Sequence, residues 1–369
     1  MTVSEMLAGI ERQLRDVWIT QPGEASKSRV CTMNLVVIAG TPALADKYTP
    51  IVDEVTSSIP ARAIIVALDP EAAESSLEGD VSAVCGIGED ATCSERVRLT
   101  AKGALCARAG RAVDALLVPE IPTTLIWLGR VHVEDPVFLE LAHDAGRIVL
   151  DTEYTSLSSL LHLARWAREE PTRPGVADLA WTRIAPWQEL CARFFDEPRL
   201  MSHAHRIKKL TIRQASDAGS RLGPEGALLL GWFATRLGWK IERIGGNTRF
   251  VRDDGKPVTV ALHATPRPQT VAPSVLAEVR LETERDGDTA CGSIQRELGS
   301  GREGNTADAD LLVWRLESSG GTLEQRVRLG TNTGARMLER TLRRPAHDPA
   351  LAESALFADE IYEEGLVCT

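Results

Sequence analysis

The first 170 residues alternate continuous apolar runs with amphipathic stretches. The runs "TMNLVVIAG" (32–40) and "ARAIIVALDP" (61–70) end at a glycine and at Asp-Pro, which is typical of strands buried on both faces. A helical pattern fills 42–58 between them, so this stretch predicts a parallel βαβ unit. Further along, a helix is predicted from Asp135-Pro136, followed by the strand "RIVLDT" (147–152).

One segment of this half has the alternating pattern of a strand with an exposed face. In "SERVRLTAKG" (94–103), Val97 and Leu99 alternate with Arg96 and Arg98, which predicts a hairpin with "VSAVC" (81–85). We therefore expect an α/β N-terminal domain with a mostly parallel, doubly wound sheet and an antiparallel insertion.

The pattern changes after "REEPTRPGVAD" (168–178), where two prolines, a glycine and five charges indicate a linker. A strong helix is predicted from Pro224, surrounded by alternating strands with short connections. These features predict domains at 1–171 and 172–369, the second being an α+β C-terminal domain with an antiparallel sheet.

The acidic composition narrows the class of protein. The chain has 369 residues and a net charge of −10, which argues against nucleic-acid binding. The N-terminus lacks the pattern of a signal peptide, and no apolar run approaches the length of a membrane span. We expect a cytoplasmic protein without a membrane partner. The seven scattered cysteines predict reduced thiols, with Cys368 an inert thiol on a mobile tail.

Several short motifs are favoured as ordinary structure rather than as ligand sites. "GSGREG" (299–304) matches G-x-G-x-x-G but lacks the preceding strand and following helix of a dinucleotide site, so a flexible loop is expected. "CGIGED" (85–90) predicts a hairpin turn. His203 and His205 lack a third metal ligand nearby, and the basic segment 199–213 predicts a solvated strand face. Metal binding, or contact with an acidic partner or a phosphate, is the alternative there.

"DLAWTRIAPWQEL" (178–190) places two tryptophans six residues apart. From Pro186 onward the apolar residues follow helical spacing, so Trp187 is expected in the core or between the two domains. Leu179 and Trp181 are expected in an extended lead-in. Arg183 is expected to pair with Asp178 or to stack on an indole. Neither a nucleophile with its base nor a carboxylate pair is evident, so no catalytic residue, cofactor or metal is predicted.

These thirteen residues closely resemble the signature of the OpcA family, the glucose-6-phosphate dehydrogenase assembly proteins. "TMNLVVIA", "PARAIIV", "CSERVRLTAKG" and "LLVPEIPTTLIWLG" resemble further family segments and occur in family order, from about Cys31 to Asp196. The family-like positions are Arg62, Glu95, Arg96, Pro119, Pro122, Trp127, Asp178, Trp181, Arg183 and Trp187.

The resemblance implies a non-catalytic partner that binds glucose-6-phosphate dehydrogenase and promotes its oligomeric, active state in the oxidative pentose phosphate pathway. Such a protein needs a rigid surface with aromatic and arginine anchors. The candidate interface residues are Arg62, Arg96, Arg98, Trp127, Trp181 and Arg183. The alternative is an enzyme or sensor that binds a nucleotide or sugar phosphate near Gly40, Asp69 and Gly129, at the switch point of the N-terminal sheet.

Overall fold

The computed structural model describes residues 3–19, 31–85, 93–244, 247–266, 274–297, 311–330, 333–362 and 368–369. The chain divides into two compact units. The first comprises residues 1–179 together with 334–348, and the second comprises 180–333 together with 349–369. The contiguous domain limits 1–171 and 172–369 stay a prediction.

The first unit is built on a seven-stranded sheet. Its strands are β1 (Met33–Ala39), β2 (Ala61–Asp69), β3 (Leu77–Cys85), β4 (Cys93–Lys102), β5 (Thr123–Leu128), β6 (Arg147–Leu150) and β7 (Gly175–Asp178). Its helices are α1 (Val3–Ile19), α2 (Pro42–Thr56), α3 (Ala109–Asp114), preceded by a 3-10 turn at Gly103–Arg108, α4 (Pro136–His143) and α5 (Leu157–Glu169).

The strand order of this sheet is β3-β4-β2-β1-β5-β6-β7. All neighbours are parallel except β3 and β4, which form the predicted antiparallel hairpin. The chain builds outward from β1 through β2 to β4 and then returns to β5 on the other side of β1. The switch point of this doubly wound sheet therefore lies between β1 and β5, where ligands of such folds usually bind.

The second unit is built on an eight-stranded sheet of order β15-β14-β13-β12-β8-β11-β10-β9. Its strands are β8 (Ile207–Ala215), β9 (Lys240–Ile244), β10 (Asn247–Val251), β11 (Pro257–Thr265), β12 (Leu276–Arg285), β13 (Asp288–Arg296), β14 (Leu311–Ser318) and β15 (Gly321–Arg328). Its helices are α6 (Leu179–Arg193, whose first residue belongs to the first unit), α7 (Pro224–Leu237) and α9 (Pro349–Tyr362), while α8 (Gly334–Leu342) belongs to the first unit.

The prediction of a purely antiparallel second sheet is wrong in one place. Strands β8 and β11 are parallel, with Leu210 opposite Val260. Between them the chain forms α7 and the β9–β10 hairpin, and this long connection brings β11 back in the direction of β8. Both sheets are therefore mixed.

Helix α8 completes the core on the α2 side of the first sheet. Its Met337 and Leu338 are at most 1% exposed and belong to the same apolar cluster as Val37, Ile65 and Val52. The buried Arg147 guanidinium donates to the carbonyl oxygens at the end of α8, reaching Thr341 at 2.7 Å, Leu342 at 3.2 Å and Arg344. A helix distant in sequence is thereby fixed to the first unit.

Helix α6 begins earlier than the sequence pattern predicts. It starts at Leu179, so Trp181 and Arg183 are helical rather than extended, and Pro186 lies inside the helix. The side chain of Trp187 is fully buried, as the apolar spacing predicts. Asp178 precedes the helix and accepts a hydrogen bond from the Thr152 hydroxyl at 3.0 Å, both side chains being buried.

Two cysteine predictions are wrong. Cys85 and Cys93 form a disulfide across the paired ends of β3 and β4, so the chain does not carry only reduced thiols. Cys368 is fully buried and its backbone is hydrogen-bonded to Gly219 and Ser220, so it is not on a mobile tail. The sequence pattern did not signal either feature, because both depend on residues brought together by folding. The motif 299–304 and positions 86–90 lie outside the described residues.

Candidate functional site

The switch point of the first sheet is closed by the backbone itself. The Gly40 N–H at the end of β1 donates to the Leu128 carbonyl at the end of β5, with N and O 2.9 Å apart. A Cβ added to Gly40 would lie 3.4 Å from that oxygen and 3.9 Å from the Gly129 Cα. Gly129 has φ +121, a conformation that favours glycine, and its N–H donates to the Thr155 hydroxyl at 3.3 Å.

The start of α2 offers little to a phosphate group. Pro42, at the first helical position, has no N–H to donate. The Leu44 N–H donates to the Thr41 hydroxyl at 3.3 Å, and the Ala45 N–H donates to the Thr41 carbonyl at 3.2 Å. A dinucleotide site needs free N–H groups and a glycine-rich turn at this place. The contacts at Thr41 and the proline at the first helical position therefore leave few donors here for a phosphate.

Arg62 contacts the buried face of the sheet. Its guanidinium pairs with the Glu95 carboxylate on the neighbouring strand, the closest N–O distance being 2.7 Å, and donates to the Leu116 carbonyl at 2.9 Å. The side chains of Arg62 and Glu95 are 12% and 4% exposed. The pair joins β2, β4 and the turn after α3, and in the isolated chain it leaves little surface for a partner.

Arg96 and Arg98 lie on the opposite face of the sheet, beside α2. Arg96 pairs with Asp53, and Arg98 pairs with Asp46, one arginine for each of two aspartates seven residues apart on the helix. The arginines are 25% and 27% exposed, and the aspartates are 31% and 64% exposed. We call these four residues the α2–β4 charge cluster. Asp46 and Asp53 were not among the residues predicted from the sequence, although their spacing of two helical turns was a usable signal.

Trp127 lies at the end of β5 with only 7% of its surface exposed. Its indole N–H donates to the Arg130 carbonyl at 3.2 Å, and its ring packs edge-to-face on Phe138 with centroids 5.3 Å apart. The hydrogen bond and the ring contact satisfy the polar and apolar parts of the indole. Trp127 is therefore mainly a core residue of the first unit.

Trp181 and Arg183 lie in the second unit, on α6. Trp181 is 5% exposed. The Arg183 guanidinium lies 3.2 Å from the Glu225 carboxylate in the first turn of α7. The pairing of Arg183 with Asp178 stays a prediction. Glu225 also accepts from the Leu276 N–H at 3.0 Å. This buried arrangement connects α6, α7 and β12.

The histidine motif forms a 3-10 turn (Met201–Arg206) ahead of β8, not a strand edge. His203 is 3% exposed, with Nδ1 3.0 Å from the Thr283 hydroxyl and Nε2 3.7 Å from the Asp288 carboxylate. The Thr283 hydroxyl donates to the Ala290 carbonyl at 3.3 Å, and burial keeps this group from a substrate. Within the described ranges, no cluster of three or more His, Cys, Asp or Glu is arranged to hold a metal ion.

The thiols of the described residues are not activated as nucleophiles. Burial raises the pKa of the Cys106 thiol, and a hydrogen bond from the Asp69 backbone only partly opposes this effect. Desolvation likewise raises the pKa of Cys31 and Cys291. A cysteine nucleophile needs a lowered pKa, so these environments argue against thiol catalysis.

These features define the first unit as a doubly wound α/β fold whose turn after β1 offers few donors to a phosphate, and the second as a mixed sheet with helices. The chain belongs to the OpcA family, glucose-6-phosphate dehydrogenase assembly proteins. Residues 52–165 match the family model described as glucose-6-phosphate dehydrogenase subunit N-terminal domain, and residues 174–355 match the corresponding C-terminal domain. The resemblance seen in the sequence is thereby confirmed.

Similar proteins include relatives from Nostoc punctiforme and Synechococcus elongatus that are described provisionally as OxPP cycle protein OpcA. The Nostoc punctiforme relative is 32% identical over 199 residues, covering 52% of this chain and 40% of its own length. The Synechococcus elongatus relative is 29% identical over 256 residues, covering 62% of this chain and 56% of its own length. The match thus spans about half the length of these relatives.

Solved structures with a related chain path are distant. A 3-ketoreductase from Actinomadura kijaniata gives a TM-score of 0.48 at 8% identity, covering 91% of this chain and 98% of that chain. A UDP-N-acetylglucosamine 3-dehydrogenase from Acidithiobacillus ferrooxidans gives a TM-score of 0.43 at 10% identity, with the same coverage. Likenesses at this level carry no argument about function. No described helix is both long enough and apolar enough to cross a membrane.

Proposed function

We propose that this chain is a non-catalytic protein that binds glucose-6-phosphate dehydrogenase and promotes its oligomeric, active state. The observation that carries the proposal is the match of both halves of the chain to domains described as subunits of that enzyme. The closed switch point and the capped start of α2 support a binding role over a dinucleotide-dependent reaction. An assembly factor acts by binding one state of its partner better than another, which shifts the population toward that state.

We propose the α2–β4 charge cluster as the contact surface. Among the interface residues predicted from the sequence, Arg96 and Arg98 present the most solvent-exposed surface, while Trp127 and Trp181 are nearly buried. Partly exposed ion pairs contribute little to folding, so their guanidinium groups remain available to a partner's carboxylates. Arginine is also enriched among the residues that dominate binding energy.

The first test measures the native mass and activity of the same organism's glucose-6-phosphate dehydrogenase with and without this chain. We expect a larger enzyme species that contains this chain, with higher activity or a lower substrate requirement. The absence of a complex, together with unchanged kinetics under both reducing and oxidising conditions, would refute the assembly role.

The second test locates the contact surface. We expect the double variant Arg96→Ala and Arg98→Ala to bind the enzyme at least about tenfold more weakly, a loss typical of one or two anchor residues. The matched control is Arg173→Ala, because Arg173 is 23% exposed and pairs with Glu169 elsewhere in the first unit. Equal binding by the double variant and the control would rule out this contact surface without contradicting the assembly role.

A further inference from the structure

A cleft of about 810 Å³ opens in the first unit at the carboxyl ends of β2 and β5. Leu68 and Trp127 belong to these strand ends and Pro70 follows β2, while α3 with its preceding turn and α4 with its N-cap Asp135 supply the remaining lining. Its volume is within the range of small-molecule sites, and open α/β sheets bind their ligands at this edge. The proposed assembly function makes no use of this cleft.

The lining combines opposite charges with an apolar surface. Arg108 and Arg111 belong to the segment that enters α3, whereas Asp135 and Glu140 belong to the segment that begins α4. Two guanidinium groups and two carboxylates give these residues a net charge of zero. The apolar lining consists of Leu68, Pro70, Trp127, Pro136 and Val137.

The charged groups of the lining form few and weak interactions with the rest of the protein. Arg111 lies 3.6 Å from Glu140, and these side chains are 71% and 38% exposed, so the pair is weak and open to exchange. One oxygen of Asp135 accepts from the Val137 N–H at 2.8 Å and caps α4. The Arg108 guanidinium makes no hydrogen bond or ion pair with any other residue in the described part of the chain.

We propose that this cleft binds a phosphorylated sugar. The phosphate pairs with Arg108 and Arg111, because guanidinium groups bind phosphate oxygens with charge-assisted hydrogen bonds. Sugar hydroxyls donate to Asp135 and Glu140, and the ring packs on the apolar lining. The two carboxylates disfavour a bare anion or a polyphosphate, and the start of α2 lacks the donors that a pyrophosphate needs.

Calorimetric titration of the full chain, without the dehydrogenase, tests this site. Glucose 6-phosphate and ribose 5-phosphate are the probes. Glucose and inorganic phosphate are the separate parts of the first probe, and ADP-ribose tests whether a nucleotide binds. We expect saturable binding of a sugar phosphate with a Kd of about 1 mM or below, and at least about tenfold weaker binding of each half. The double variant Arg108→Ala and Arg111→Ala should lose this binding.

The control variant is Arg343→Ala, because Arg343 is 61% exposed and pairs with Glu339 in the same unit, away from the cleft. Glu140→Gln should weaken sugar-phosphate binding without weakening that of inorganic phosphate, since it removes a negative charge and replaces one of the two hydroxyl-accepting oxygens with an NH2 group. No saturable binding up to about 10 mM would overturn the proposal. Equal affinity for inorganic phosphate, or tighter binding of ADP-ribose, would also overturn it. Because the dehydrogenase is absent, these outcomes leave the assembly role untouched.

Discussion

Glu225 shows how a single buried charge is accommodated in the second unit. Its side chain is 7% exposed and lies between the Arg183 guanidinium and the Leu276 N–H. Its place in the first turn of α7 also suits a carboxylate, because the helix dipole is positive there. The charge is therefore stabilised from several sides, and each contribution depends on the others.

Removal of the Arg183 side chain should destabilise the fold, because Glu225 stays buried. We expect Arg183→Ala to lower the free energy of unfolding by about 2–4 kcal/mol, because Glu225 then keeps a buried charge without its cation. Urea unfolding of the full chain measures the loss. Arg98→Ala is the comparison and should change stability by less than about 1 kcal/mol, since its ion pair is partly exposed. Similar losses in both variants would contradict this explanation.

The buried thiols should resist alkylation in the folded protein. Desolvation raises the pKa of Cys191 and Cys368, so the reactive thiolate is scarce at pH 8. We expect mass spectrometry after iodoacetamide treatment to find neither residue modified until a denaturant is added. Modification of Cys191 in the native state at the rate of an unfolded peptide would contradict the prediction.

The same shifts have a consequence for stability at high pH. A thiol with a raised pKa in the folded state stabilises the fold at pH values below the thiol's ordinary pKa, which is near 9. That contribution is lost as the pH rises, because only the unfolded chain then gains by ionising.

Residue types alone did not distinguish partner-binding residues from residues of the hydrophobic core at the candidate site. Tryptophan serves both purposes, and only the packing of Trp127 on Phe138 and the burial of Trp181 distinguish them here. The alternation in β4 was more informative. It correctly predicted that Arg96 and Arg98 lie opposite Val97 and Leu99, because period-2 patterning reports directly on the two faces of a strand.

At the level of elements, α6 shows the limit of local signals. Pro186 has features of a helix start, since proline is favoured at the first position, yet here it lies within the helix. Burial of Trp181 and Ile184 ahead of the proline outweighs the lost hydrogen bond. Stabilisation by tertiary packing of this kind cannot be read from the neighbouring residues in the sequence.

The contact of Arg147 with α8 should be essential for attaching that helix. We expect Arg147→Ala to lower the free energy of unfolding by about 2–4 kcal/mol, because buried carbonyl groups lose a charged donor. Hydrogen exchange should accelerate in 334–348 more than elsewhere. Arg147→Lys should recover only part of the loss, since one ammonium cannot reproduce the forked geometry.

The control for this experiment is Arg343→Ala, whose side chain lies in the same segment but is 61% exposed. It should leave both stability and exchange nearly unchanged. Uniform acceleration of exchange across the first unit in Arg147→Ala would indicate general destabilisation rather than release of α8.

At the scale of the whole molecule, the alternation of elements was the most predictable feature. Parallel βαβ connections are short and right-handed, so the pattern of β1, α2 and β2 limits the topology strongly. The return of 334–348 to the first unit was not predictable, because α8 has the ordinary amphipathic pattern of a surface helix. The parallel pairing of β8 with β11 was missed for a similar reason, since it depends on a long connection.

The return segment should be required for a stable first unit. A fragment of residues 1–179 leaves the α2 core uncovered where Met337 and Leu338 pack, and these side chains contribute about 3–6 kcal/mol together. We expect the fragment to bind a hydrophobic dye and to melt at a lower temperature than the intact chain. A synthetic peptide of 334–348 should reduce dye binding and raise the melting temperature.

A peptide with Met337→Asp and Leu338→Asp is the matched control and should have no effect. Cooperative melting of the fragment at the temperature of the intact chain, without a response to either peptide, would mean that the sequence-based limits describe the folding unit better.

The position of α8 in the sequence also determines when the first unit can complete its core during synthesis. The core of the first unit is completed by residues 334–348, which leave the ribosome after the whole of 180–333. At ordinary elongation rates of about 5–20 residues per second, that interval is about 10–30 s. During this time the α2 surface is uncovered while the strands of the second unit emerge. Nascent chains of this protein therefore expose apolar surface for longer than a chain with two contiguous domains, and chaperones that bind such surfaces would meet it at this stage.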